Sequence, residues 1–153
     1  MDIRRATVAD AAALTALRLQ FLREINAGDE PAGLPAATEQ YFARALADGS
    51  FVAWVAVEGD TVAATSGLSF QELAPNWSNP TGKVGYILNM YTEPARRGQG
   101  LASALFAHLL EEARSRGCGK VALHATAEGR RVYGKFGFAS KGDEMTLYLI
   151  QSN

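Results

Sequence analysis

Between Val84 and Gly117 the chain runs from an apolar strand, through a turn of two arginines and two glycines, into an amphipathic helix. This unit limits the possible folds more than any other stretch. Val84-Gly85-Tyr86-Ile87-Leu88-Asn89-Met90-Tyr91-Thr92 is too apolar, β-branched and aromatic for a surface loop. It reads as a buried, central strand. Glu93-Pro94 stops it, because proline cannot donate to a sheet ladder. Downstream, Leu101, Leu105 and Leu109 share one helical stripe, with Ala102, Phe106, Leu110 and Ala113 beside it, and Gly117 marks the end.

The turn Arg96-Arg97-Gly98-Gln99-Gly100 therefore sits where a buried strand becomes a helix. The first N–H groups of a helix have no partner inside it, and the helix dipole makes that end partly positive. Glycines let the backbone approach an anion closely and arginines add charge, which together make a phosphate site. The same residues also suit a plain tight turn with solvated arginines.

Spacing separates the phosphate-binding patterns. A dinucleotide fold needs G-x-G-x-x-G, but Gly98-Gln99-Gly100-Leu101-Ala102 is followed by Ser103. Gly129-Arg130-Arg131-Val132-Tyr133-Gly134-Lys135 imitates a nucleoside-triphosphatase loop, yet Phe136 replaces the hydroxyl that must hold magnesium. Arg97-x-x-Gly100-x-Ala102 instead resembles the [QR]-x-x-G-x-[GA] pyrophosphate loop of the GNAT superfamily of acetyl-CoA-dependent N-acetyltransferases. Val132-Tyr133-Gly134-Lys135-Phe136-Gly137-Phe138 resembles that superfamily's L-Y-x-x-x-G-F segment, one helix and one strand downstream.

The rest of the chain is compatible with that resemblance. Its 153 residues suit a single domain spanning 1–153, large enough to bury a core. With 48% apolar residues, 20% charged residues and a net charge of −1, the composition argues against a nucleic-acid tail or disorder. Apolar runs are too short to span a bilayer, and no basic-then-apolar leader precedes the domain. One cysteine, Cys118, allows no internal disulfide and fits a reducing, cytoplasmic setting.

In order, the pattern predicts a strand at Ile3–Ala6, a capping box at Thr7–Asp10 and a helix carrying Leu14, Leu17, Phe21, Leu22 and Ile25. A breaker from Asn26 to Pro35 precedes a second helix over roughly 36–47. Strands follow at 51–58 and from Thr61 to about Gln71, joined by a Gly59-Asp60 hairpin turn. After the organising strand and helix come a strand at Lys120–Ala125, a short helix over about 128–135 and a closing strand at Met145–Ile150. The order β-α-α-β-β-β-α-β-α-β-β implies an α/β fold with a mixed, mostly antiparallel central sheet flanked by helices. GNAT domains share this order.

The resemblance implies a set of site residues. Acetyl-CoA would be held by Arg97, Gly98, Gln99 and Gly100, by the first helical turn at Leu101, Ala102 and Ser103, and by Met90, Tyr91 and Thr92 of the preceding strand. Backbone N–H groups of that strand, Met90 first, would polarise the thioester carbonyl. Tyr133 would be the general acid for the thiolate, since a phenol of pKa near ~10 stays protonated at neutral pH. Thr126 stands where many members carry an asparagine that bonds the pantetheine arm, and Gly129 where alanine is usual.

No general base is legible: Glu93 lies beside the loop, His124 reads as a core residue, and Asn89 with Tyr91 offers at most an ordered water. No metal-ligand spacing occurs. Asp29 and Glu30 would attract a cationic amine or form a solvated turn, and Trp77 and Tyr86 would line the acceptor cleft or pack. The implied activity is acetyl transfer to the primary amine of a small molecule or peptide by direct attack. Neither nucleic acid nor membrane is implied as a partner, and a homodimer is a family habit. A non-catalytic acyl-CoA-binding or sensing domain is the alternative.

Overall fold

The sheet is organised around β5 (Lys83–Thr92), the strand that the sequence marks as buried, in a computed structural model that describes residues 1–150. Its neighbours are β1 (Asp2–Arg5), β2 (Phe51–Val52), β3 (Trp54–Glu58), β4 (Thr61–Glu72) and β6 (Lys120–Leu123). They run β1-β3-β4-β5-β6, with β2 also paired to β4. All pairs are antiparallel except β5–β6, so the sheet is mixed as expected. Helices α1 (Ala11–Ile25), α2 (Leu34–Asp48) and α3 (Leu101–Ser115) complete one compact unit, Met1–Leu123. A second unit begins at His124 and carries α4 (Ala127–Lys135).

Alternation along β3 shows how the two faces are covered. Val55 lies in a cluster with Leu14 of α1 and Phe42 and Ala45 of α2, whereas Ala56 packs with Ala64 and Leu105 of α3. On β5, a Cβ at Gly85 would meet Ala113 of α3 at 3.7 Å and Leu68 at 2.9 Å, so this position has room only for glycine on the α3 side. Tyr86 and Leu88 therefore face α1 and α2, and Leu88 packs against their cluster. Arg4 forks onto the Asp10 carboxylate at 2.8 and 2.9 Å, and Asp10 also accepts from the Thr7 N–H at 2.8 Å, which anchors the entry to α1.

Helix α2, the 51–58 strand and the 145–150 segment differ from expectation. Helix α2 starts at Leu34, because Gly33 takes a left-handed φ of 80° and Pro35 falls in the first turn, where its missing N–H costs nothing. The 51–58 strand breaks at Ala53. There the Ser66 hydroxyl accepts from the Trp54 N–H (3.3 Å) and donates to the Trp54 carbonyl (2.9 Å), standing in for ladder bonds. The closing strands do not form among the described residues: Met145–Ile150 has the β-forming composition, yet Met145, Leu147 and Leu149 are 95%, 83% and 91% exposed. A strand needs a ladder partner as well as a propensity.

Candidate active site

Two independent interruptions open β5 at the same place. Its parallel ladder with β6 ends at Ile87 opposite Leu123, although β5 continues to Thr92. Its antiparallel ladder with β4 jumps from Leu88 opposite Gly67 to Tyr91 opposite Thr65. Ser66 on β4 thus faces both Asn89 and Met90, a bulge that leaves those two residues outside either ladder. Asn89 takes φ +60°, the sole positive φ of a non-glycine residue among the described residues. It is 2% exposed, and neither its Nδ2 nor its Oδ1 has a hydrogen-bond partner. A left-handed backbone and an unmatched buried amide on one residue are unfavourable, and such strain concentrates at working sites.

From the end of β5 the chain makes a short 3₁₀ turn, Pro94–Arg96, tied down by an Arg96–Glu58 ion pair. Gly98 and Gly100 then take φ of 80° and 77°, which few other residues adopt. Gly98, Gln99 and Gly100 are exposed, and the Gly100 carbonyl accepts its helical bond from Ala104. The N–H groups of Leu101, Ala102 and Ser103 therefore have no acceptor within α3, which is the arrangement an anion needs. Leu101 also packs under α3 against the Ala56–Leu105 cluster, so its side chain is structural while its backbone is available.

Arg97 is exposed but folds back along the strand. Its Nε donates to the Thr92 carbonyl at 3.0 Å, its guanidinium lies 5.3 Å from the centre of the Tyr91 ring, and it reaches Glu24 of α1 at 3.4 Å. The Tyr91 hydroxyl donates to the other Glu24 oxygen at 2.5 Å, and its ring meets Phe21 at 5.9 Å. Burial pushes the Tyr91 phenol above its ordinary value, and the Glu24 carboxylate adds to the effect. Glu24 thus ties α1 to both the strand and the loop. In the sequence it was one more polar position on an amphipathic helix, and nothing marked it.

The second unit resolves the remaining motif. Thr126 caps α4, its hydroxyl oxygen accepting from the Gly129 N–H at 3.1 Å, so its own proton is left to donate. Gly129 has a steric reason to depart from alanine: a Cβ there would lie 2.9 Å from the Tyr133 ring and 3.3 Å from Thr126 Oγ1. Burial pushes the Tyr133 phenol up, keeping it protonated. The helix ends at Gly137 (φ +98°), with Phe138 N–H bonded to the Tyr133 carbonyl, as the motif implied. The triphosphatase-like string from Gly129 to Lys135 lies inside α4, and helical backbone cannot cradle a phosphate.

Other candidates fall away. His124 is exposed, not core, because β6 stops one residue earlier, and it lies 3.7 Å from Glu144. Glu30 is paired with Arg23 at 2.7 Å, and Trp77 is wholly exposed and lines nothing. Burial raises the Cys118 thiol, against a nucleophile. A hollow of about 200 Å³ beside the end of α2 is bridged by Arg116, which donates to the Gly49 carbonyl, and it lies away from β5. No three potential metal ligands come together, and no helix is long and apolar enough to cross a membrane, among the described residues.

The profile of the acetyltransferase (GNAT) family matches residues 19–138. The chain belongs to the GNAT acetyltransferase family. A predicted acetyltransferase from Clostridium acetobutylicum, crystallised with acetyl-CoA, is 34% identical, with a TM-score of 0.90 over 97% of this chain and 96% of that one. A GCN5-related N-acetyltransferase from Ralstonia eutropha JMP134 is 33% identical at a TM-score of 0.84, covering 97% of each chain. Among curated relatives, glucosamine 6-phosphate N-acetyltransferase 1 of Oryza sativa subsp. japonica is 40% identical over 44% of this chain and 41% of its own length. Glucosamine 6-phosphate N-acetyltransferase of Trypanosoma brucei brucei is 35% identical over 50% and 52%. The match spans about half the length of these two curated relatives or less.

Proposed function

We propose that the protein transfers the acetyl group of acetyl-CoA to the primary amine of a small molecule by direct attack. The observation that carries this reading is the double opening of β5 at Asn89–Met90, next to a glycine loop with open helix N–H groups. A fold that only needed a stable sheet would have continued both ladders. The curated relatives, which act on glucosamine 6-phosphate by name, support a small-molecule acceptor and make amino sugars the first class to assay.

In this reading the N–H groups of Gly98 to Ser103, with Arg97, hold the pyrophosphate of acetyl-CoA. The free edge of β5 from Leu88 to Thr92 takes the pantetheine arm, and the Met90 N–H polarises the carbonyl. Bound acetyl-CoA supplies an activated thioester. The neutral amine attacks its carbonyl carbon, the carbon–sulfur bond breaks, and Tyr133 gives its phenolic proton to the departing thiolate. The amine's surplus proton leaves through water, with no dedicated base. Tyr133→Phe is expected to lower kcat by about 10²–10⁴-fold while acetyl-CoA binds as before. Thiol release across a panel of amines, with calorimetric titration of acetyl-CoA, reads both. If wild-type protein binds no acetyl-CoA, the reading fails; if it binds but Tyr133→Phe turns over normally, the acid role fails.

A further inference from the structure

The carboxylate of Glu24 closes a ring of contacts among three elements. Glu24 stands one turn after Phe21 on α1, so both side chains share the face that α1 lays over the end of β5. Phe21 meets the Tyr91 ring, 5.9 Å between centres, and the Tyr91 hydroxyl donates to Glu24 Oε1 at 2.5 Å. Over the same ring lies the Arg97 guanidinium, 5.3 Å from its centre, and Arg97 Nη2 donates to Glu24 Oε2 at 3.4 Å. Arg97 Nε donates in turn to the Thr92 carbonyl at 3.0 Å. Tyr91 is buried, whereas the Glu24 and Arg97 side chains are 40% and 49% exposed.

An ion pair this exposed adds little to the stability of a fold, and α1 is already packed on the strand through Phe21. What the contact does is fix Arg97. A long, flexible side chain on a glycine-rich loop would otherwise be ordered only when a ligand arrived, at a cost in rotamer freedom that weakens binding. Here that ordering is met beforehand. One N–H on Nε goes to Thr92 and one on Nη2 to Glu24, and the Nη1 group has no protein partner among the described residues. Guanidinium donors left over in a fixed plane suit a phosphate group, which accepts from two at once. Arg97 directly precedes Gly98, in the turn that leads to the open N–H groups of α3.

We infer that Glu24 positions Arg97 for the pyrophosphate of acetyl-CoA, so that a residue of α1 sets cofactor affinity without touching the cofactor. The inference rests on the proposed acetyltransferase reading, in which Arg97 binds that pyrophosphate. A carboxylate near an anion also repels it. At Glu24 that repulsion is offset, because the Tyr91 hydroxyl and the Arg97 charge both face the carboxylate, and solvent ions screen what remains. Positioning therefore outweighs repulsion, and removal of the carboxylate weakens binding.

The test is a double-mutant cycle on the whole chain, read first as the Kd of coenzyme A by calorimetry. With the amine that the panel identifies as acceptor, the KM and kcat for acetyl-CoA are read as well. Glu24→Gln keeps an oxygen for the Tyr91 hydroxyl and removes the charge that holds Arg97. It is expected to raise Kd and KM about 3- to 10-fold, with kcat within about twofold of wild type. In an Arg97→Met background the same substitution should change Kd by less than about twofold, because the side chain it positions is gone. Urea unfolding of Glu24→Gln should stay close to that of wild type. An unchanged or lower Kd for Glu24→Gln overturns the inference and leaves the acetyltransferase reading standing. So does a loss as large in the Arg97→Met background as in wild type, the mark of a tie that serves only the fold. Wild-type protein that binds no coenzyme A overturns the reading beneath it.

Discussion

Replacing Asn89 with glycine is expected to stabilise the ligand-free protein while impairing its activity. The residue carries two unfavourable terms at once. Its φ of +60° costs a non-glycine residue about 1–2 kcal/mol, somewhat less for asparagine. Its buried amide, without a partner at either atom, costs a further ~1–3 kcal/mol. Glycine removes both. It returns about 0.5–1 kcal/mol as extra backbone entropy in the unfolded chain. It also gives up the packing of the amide at a site only 2% exposed, roughly 1 kcal/mol if the neighbours relax in part.

The net is a gain of about 1–2 kcal/mol, or roughly 2–8 °C in melting temperature for a chain of this size. Asn89→Ala separates the terms, because alanine loses the amide but keeps the strained φ; it should fall at least ~1 kcal/mol below glycine. Urea and thermal unfolding of the three proteins measure the order. Activity should move the other way, about tenfold down in kcat/KM for glycine, since a looser bulge no longer aims the Met90 N–H. A glycine variant less stable than wild type by more than 1 kcal/mol, or an alanine variant equal to it, would refute the argument that Asn89 stores strain.

Two further outcomes follow from other contacts. Gly129→Ala should lower the rate severalfold with little change in acetyl-CoA affinity, because the added methyl must displace a Tyr133 ring that would lie 2.9 Å away; an unchanged rate would show the ring has room to yield. For Asp10, the Arg4 guanidinium and then the Thr7 N–H hold the carboxyl below its usual range, with burial opposing them. Its contribution is therefore full above the unfolded carboxylate pKa of about 3.9 and is lost as pH falls through the lower folded value. Asp10→Asn should cost about 1 kcal/mol at pH 7 and nearly nothing at pH 2, as urea unfolding at the two pH values would record.

What the sequence alone determined was everything governed by local chemistry. The glycine pair, the proline stop and the 3.6-residue stripe on α3 specified a strand–loop–helix unit with open helix N–H groups, and every one of those features is local in the chain. Gly137 and Tyr133 ended α4 for the same reason.

Tertiary structure decided what depends on partners distant in sequence. Asn89 looked like an ordinary strand residue until the registers with β4 and β6 left it in a bulge. Glu24 sits on an amphipathic helix with nothing in its spacing to set it apart. The fold gives it two partners, Tyr91 and Arg97. Met145–Ile150 has the composition of a strand, and only a neighbouring edge, which composition cannot supply, would make it one.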